Sequence, residues 1–302
     1  MKTSRRNFIQ TTMLAAAGIP LLSKASFGRE SMAKSPFKIS LAEWSLHKAL
    51  WAKEMTNLDF PIKAAKDFGI LGVEYVSSFF KDTSTPYLNE LLKISKDNNV
   101  TNVLIMIDGQ GSMGDVDAAT RNKAVDNHHR WVEAAKYLGC HTIRVNAAGK
   151  GTETEVADAM FDSLSKLATF AAGMKINVVV ENHGGFSSNG KWLSGVMKRV
   201  NLKNCGTLPD FGNFRVSPTQ DYDRYLGIQE LMPFAKGVSG KSYDFDAEGN
   251  ETTMDFYRIM KIVKDSGYKG WVDVEYEGSR LSEPEGIMAT KRLLEKAFAS
   301  VA

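Results

Sequence analysis

Four short segments in the second half of the chain carry a charged residue directly after an apolar, β-prone run. They are Val178-Val179-Val180-Glu181-Asn182-His183, Thr207-Leu208-Pro209-Asp210-Phe211-Gly212-Asn213, Val238-Ser239-Gly240-Lys241-Ser242 and Val272-Asp273-Val274-Glu275-Tyr276. Each lies about one βα unit beyond the last, so Glu181, Asp210, Lys241 and Glu275 would meet if the four strands run side by side. Three carboxylates in one confined site repel each other. A divalent cation, a lysine or protonation of one acid must offset that repulsion. Oxygen donors favour a hard ion such as Mg²⁺ or Mn²⁺, and Lys241 is the internal cation at hand. A base, an acid and a cation together suit proton transfer next to a carbonyl.

Other residues could line such a site. His183 lies two residues beyond Glu181, and alternate strand residues share a face. Asn213 follows Asp210 closely. Glu74 in Gly72-Val73-Glu74-Tyr75 could meet a substrate hydroxyl, while Trp44 and His47 follow the first apolar run and could wall a pocket. Each also has an ordinary structural reading. Asp210 could cap the next helix, Lys241 could be a lysine that snorkels at a rim, and Asp244 to Asn250 reads as a polar turn.

The elements that would position these residues alternate strictly. Apolar runs at 38–43, 72–76, 102–107, 142–146, 177–182, 206–210, 235–240 and 271–276 read as strands. Helical periodicity fills 58–68, 87–98, 118–138, 155–172, 192–200, 220–232, 253–265 and 285–299. Glycines at 69, 139 and 267 stop three of these helices. Continuous apolar strands are buried on both faces, and strict alternation implies parallel strands with right-handed crossovers. Eight units between residues 37 and 302 match the ~250 residues of a (β/α)8 TIM barrel, in which chemistry sits at the C-terminal strand ends. An open doubly wound sheet would want a Gly-x-Gly-x-x-Gly turn after its first strand, and there is none.

The four segments, with the approach Gly267-Tyr268-Lys269-Gly270-Trp271 to the last strand, resemble the xylose-isomerase-like barrel superfamily. Its sugar phosphate isomerase/epimerase group and ketose 3-epimerases are the most similar branches. The resemblance runs from about residue 38 to the end. It implies a divalent ion (Mn, Mg, Co or Zn) held by Glu, Asp, His and Glu, with the two glutamates also serving as acid and base. Glu181, Asp210 and Glu275 match three of these ligands. The histidine position reads Ser239, and another family histidine reads Asn213. The expected activity is therefore sugar isomerisation or epimerisation by paired glutamates. A keto-glycoside lyase or hydrolase, and a non-catalytic carbohydrate-binding protein, are the alternatives.

The N-terminus reads separately. Arg5-Arg6-Asn7-Phe8 precedes an apolar run at 13–22 and a Ser23-Lys24-Ala25 cleavage site, with no acid before Glu30. These are the marks of a twin-arginine signal peptide over 1–25, followed by a linker over 26–36 and one barrel domain over 37–302. The expected location is periplasmic or extracytoplasmic, with no stable membrane insertion after cleavage. Removing the segment would change the formal charge from +3 to −1, so the basic balance gives no reason to expect a nucleic-acid partner. With five histidines, a zinc-cluster nuclease is a poor fit. The two cysteines, Cys140 and Cys205, read as buried free thiols. The expected partner is a small sugar.

Overall fold

A computed structural model describes residues 37–301. The expected signal segment and linker lie outside the described residues. Eight strands, β1 (Lys38–Ala42), β2 (Gly72–Val76), β3 (Thr101–Met106), β4 (Thr142–Val145), β5 (Asn177–Glu181), β6 (Cys205–Leu208), β7 (Val238–Ser242) and β8 (Trp271–Tyr276), form one sheet. Every neighbouring pair in it is parallel. The order is β6-β5-β4-β3-β2-β1-β8-β7, so the two ends of the list are β6 and β7. They meet through the bridges Thr207↔Ala235 and Asp210↔Ser239. Ser239 N donates to Pro209 O (2.9 Å) and Phe211 N to Ser239 O (3.1 Å). The sheet thus closes into a barrel through a thin seam of two bridges. Pro209 contributes to this, because it has no N–H to give.

The strands are followed by α1 (Phe60–Lys66), α2 (Thr85–Asp97), α3 (Ala118–Leu138), α4 (Glu153–Ala172), α5 (Gly190–Val200), α6 (Arg224–Leu231), α7 (Phe256–Asp265) and α8 (Glu283–Val301). Local chemistry fixes their ends. Thr152 and Glu155 form a reciprocal capping box at α4. Gly69, Gly139 and Gly267, the expected stops, all have positive φ, which glycine adopts without steric cost.

Several boundaries differ from the sequence reading. The seventh strand begins at Val238 rather than 235, because only Ala235 of the preceding residues bridges to β6. The sixth helix begins at Arg224 rather than 220. Residues Arg215–Ser217 and Gln220–Asp221 pair as an antiparallel hairpin instead, with Pro218 and Thr219 at its tip, and Asp223 caps the helix by accepting from Tyr225 N and Leu226 N. β1 ends at Ala42, and Glu43 opens a 3-10 turn.

The largest apolar core lies between strands and helices and includes Ile143, Val178, Leu164, Leu167, Val274 and Leu294. A separate cluster of Ala42, Val76, Leu104, Met106, Val179 and Leu208 fills the barrel interior, as alternation along the strands requires. Gly240 faces the helix layer between two inward residues. A Cβ there would run into Asp273 O, with Leu294 Cδ1 3.2 Å away. Overpacking of this kind costs about 1–3 kcal/mol. Gly240→Ala is therefore expected to lower the urea midpoint with an unchanged slope. A midpoint equal to the parent's would show that β7 and α8 can part without loss.

Candidate active site

Glu181 is the last residue of β5, and Lys241 and Glu275 are partners in the β7–β8 register. Asp210 follows β6 across the closing seam. Their side chains turn into the mouth and are at most 4% exposed. The ammonium of Lys241 stands between acids: Glu275 Oε1 at 3.2 Å, Asp210 Oδ2 at 3.3 Å and Glu277 Oε2 at 3.5 Å. Lys241 is therefore enclosed by carboxylates rather than snorkelling at the rim.

Glu181 has a cation of its own. Arg144 of β4 brings Nε within 2.8 Å of Glu181 Oε2 and donates from Nη1 to Asp108 Oδ1 (2.8 Å). Asn146 donates to the same Asp108 oxygen at 2.8 Å. The sequence reading missed these three residues. An arginine inside the apolar run Thr142-Ile143-Arg144-Val145 was the signal, since a charge on a buried strand needs a partner.

Hydrogen bonds set the carboxylates' orientation. Asn213 Nδ2 donates to Glu181 Oε1 (3.1 Å) and Asp210 Oδ2 (3.2 Å). Ser239 Oγ donates to Glu275 Oε2 at 2.8 Å. Asp210 Oδ1 accepts from Gly212 N (2.6 Å) and Asn213 N (2.8 Å), so it organises its own loop and caps no helix. Asn182 ties that loop to β5, accepting from Asp210 N and donating to the carbonyls of Asp210 and Asn213.

These surroundings drive the acids apart in proton affinity. Burial raises Glu181 above the ordinary glutamate range even though Arg144 opposes it. Burial also pushes Asp210 up to about 8, again against Lys241. For Glu275 burial acts in the same sense but is outweighed by Lys241 and the Ser239 hydroxyl, which hold it below the usual value. The two glutamates are thus displaced in opposite directions, the pattern that separates base from acid. Lys241 is held charged by Asp210 and Glu275 despite burial.

The remaining expected residues divide. His183 stands at the mouth, with its backbone N held by Ser187 Oγ (2.9 Å). Partial desolvation there, with Arg144 and Lys241 nearby, keeps it neutral at lower pH than usual. Trp44 donates from Nε1 to the Glu277 carboxylate, which links the β1 wall to Lys241. His47 stacks on Trp44 with centroids 5.0 Å apart, and its Nδ1 lies 2.7 Å from Trp44 O. Its Nδ1 also lies 3.7 Å from Glu283 Oε1, on the side of α8, away from the three clustered carboxylates. Glu74 stands two residues short of the β2 end, inside the barrel. Its Oε1 accepts from Ser40 Oγ (2.6 Å), and burial raises its pKa to about 7.

Glu181, Asp210 and Glu275 each present an oxygen, all within 4.8 Å of one another. Such a donor set fits a hard divalent ion. At the two positions where the resemblance expected imidazoles, Ser239 and Asn213 act as hydrogen-bond donors to these same carboxylates. Two hollows of about 500 Å³ each flank the mouth and share Gly184 in their linings. A larger hollow of about 800 Å³ lies on the outer surface between α3 and α4, away from the strand ends.

Comparison with known proteins agrees with this architecture. The sequence pattern of the xylose isomerase-like TIM barrel family matches residues 62–297. A solved D-tagatose 3-epimerase-like protein superposes with a TM-score of 0.66 at 18% identity, over 88% of this chain and 100% of the other. A xylose isomerase-like TIM barrel protein from Mycobacterium smegmatis, solved with magnesium, gives 0.64 at 16% identity, over 90% and 99%. At such identities the likeness is one of fold. A C-glycoside deglycosidase alpha subunit from Arthrobacter globiformis is 37% identical over 54 residues, which is 18% of this chain and 15% of that protein.

Removing Arg144 would leave the buried Glu181 without its guanidinium and the half-exposed Asp108 without one of its donors. Loss of one partner of a buried pair costs about 3–5 kcal/mol. Arg144→Met is expected to lose that much in urea unfolding at neutral pH, and adding Glu181→Gln is expected to recover part of it. A loss below about 1 kcal/mol, the scale of an exposed pair, would show that the pairing is incidental.

Proposed function

The chain belongs to the xylose isomerase-like TIM barrel family, and from that premise we propose that it is a sugar isomerase or epimerase, moving a proton next to a sugar carbonyl. The observation that carries this reading is the opposite displacement of two glutamates in one dry mouth, Glu275 downward and Glu181 upward. Glu275 takes the proton from the carbon beside the carbonyl. Negative charge then develops on the sugar oxygens, and the fixed ammonium of Lys241 stabilises it without reorganisation. In epimerisation Glu181 returns a proton to the opposite face of that carbon; in isomerisation it returns one to the neighbouring carbon while the hydroxyl proton passes to the former carbonyl oxygen. Asn213 and Ser239 hold the two glutamates in place, and Trp44 and His183 border the space for the sugar.

A divalent ion on Glu181, Asp210 and Glu275 is the second form of the same reading, supported by the 4.8 Å cluster. When bound, it would supply the positive charge that polarises the carbonyl. Lys241 already stands between two of these acids, which favours the lysine form. Keto-glycoside cleavage is the alternative reaction, supported by the short likeness to the deglycosidase subunit. The twin-arginine pattern suggests that the protein works outside the cytoplasm, on free or glycosidic sugars.

Two tests follow. Incubated with candidate ketoses and aldoses in D₂O, the protein is expected to place deuterium beside the carbonyl, read by NMR, and to do so after exhaustive chelation. Lys241→Met is expected to slow this by at least ~10²-fold, the lower end for losing one oxyanion donor, with a lowered thermal midpoint, as loss of one partner of a buried ion pair requires, but a chain still folded at the assay temperature. Exchange lost on chelation and restored by Mg²⁺ or Mn²⁺ would transfer the role to an ion. No exchange with any sugar would leave a carbohydrate-binding protein. Separately, N-terminal sequencing of extracytoplasmic protein is expected to begin just after Ala25, and intact protein found only in the cytoplasm would sink the export proposal.

A further inference from the structure

One of the two hollows at the mouth is lined by Gly184, Ser188, Asn213, Arg224, Tyr243 and Thr253, among others. Asn213 also donates to Glu181 and Asp210, so one residue of the lining touches the reacting groups directly. Its lining includes two arginines. Arg215 is exposed and pairs with Asp221 at 3.2 Å. Arg224 is half-buried. Its Nη1 donates to Phe211 O (3.1 Å) and lies 3.3 Å from Met254 Sδ, and among the described residues no ion pair is formed with it.

The position of Arg224 runs against local preference. It is the first residue of α6, immediately after the cap Asp223. There the positive end of the helix dipole disfavours a cation. Residues that break a local rule without an evident structural gain concentrate at functional sites. A guanidinium stays charged when half-buried, and its planar fork matches the two oxygens of a carboxylate or phosphoryl group. Beside it, burial and the nearby Asp210 push the Tyr243 hydroxyl up to about 12, so it keeps its proton and can donate. The two cations of the reacting cluster, in contrast, are already held by its carboxylates.

Resting on the sugar reading above, we propose that this hollow takes an anionic substituent of the substrate, a carboxylate or a phosphoryl group, gripped by Arg224 and Tyr243. The substrate class is then an acidic sugar. Attraction to Arg224 orients it with the carbonyl end toward Glu181, Lys241 and Glu275.

The test is calorimetric titration of the full chain at low salt with D-glucuronate, D-galacturonate, D-glucose 6-phosphate, D-glucose and D-galactose. At least one anionic sugar is expected to bind ~10-fold or more tightly than its neutral counterpart, the scale of one hydrogen-bonded charge pair. In Arg224→Met that ratio should fall to within about threefold of unity, and Arg224→Lys should restore part of it. Thermal midpoints report whether either variant has lost its fold. Tighter binding of the uronates assigns the hollow to a carboxylate, and tighter binding of the hexose phosphate assigns it to a phosphoryl group. Equal binding of anionic and neutral sugars by the parent, or a preference that survives in folded Arg224→Met, overturns the proposal. Arg224-dependent binding without deuterium uptake would sink the proton-transfer reading alone. Deuterium uptake without any preference for anionic sugars would sink this inference alone.

Discussion

The balance of charge in a nearly dry mouth is the constraint on which the rest of the structure depends. Glu181, Asp210 and Glu275 gather within 4.8 Å, and no three carboxylates share such a space ionised without cations among them. Arg144 and Lys241 supply those cations from β4 and β7, each placed by strand alternation rather than by a flexible loop. Every strand end from β3 to β8 contributes a residue to this balance. The barrel must close for it to exist, because Asp210 and Lys241 lie on opposite sides of the last seam.

Much of this was legible in the sequence, for physical reasons. Strands buried on both faces are almost wholly apolar, so the acid that ends each one stands out. Glu181, Asp210, Lys241 and Glu275 were found in that way, and the structure brings them together. Arg144 occupies the same next-to-last strand position as Lys241 and Glu275, but a lone basic residue in a four-residue strand carries no acidic signature to set it beside the other strand ends. The start of β7 was misplaced because Lys236 and Gly237 lie between a lone bridge at Ala235 and the paired residues that begin at Val238. The hairpin before α6 was read as helix because helical periodicity continued through Gln220, while Pro218 two residues earlier argued for a turn.

The replacement of two expected imidazoles follows one pattern. Ser239 and Asn213 occupy those positions, and both donate hydrogen bonds to the carboxylates that an imidazole would have accompanied as a ligand. A donated hydrogen bond stabilises an ionised carboxylate, whereas an imidazole would have offered a nitrogen ligand. The two changes therefore replace the expected nitrogen donors with groups that orient the acids. They leave the three oxygen donors intact.

The thin seam between β6 and β7 also bears on how the molecule forms and comes apart. Its few bridges join strands whose inward residues are the most costly to strip of water. Lys241 gains Asp210 only when the seam shuts, so the ammonium has reason to stay hydrated until the remaining staves of the barrel are in place. Interactions absent from the folding transition state act on the unfolding rate rather than the folding rate. The charge cluster would then serve as a latch on the finished barrel, setting how long it stays shut and contributing little to how fast it assembles.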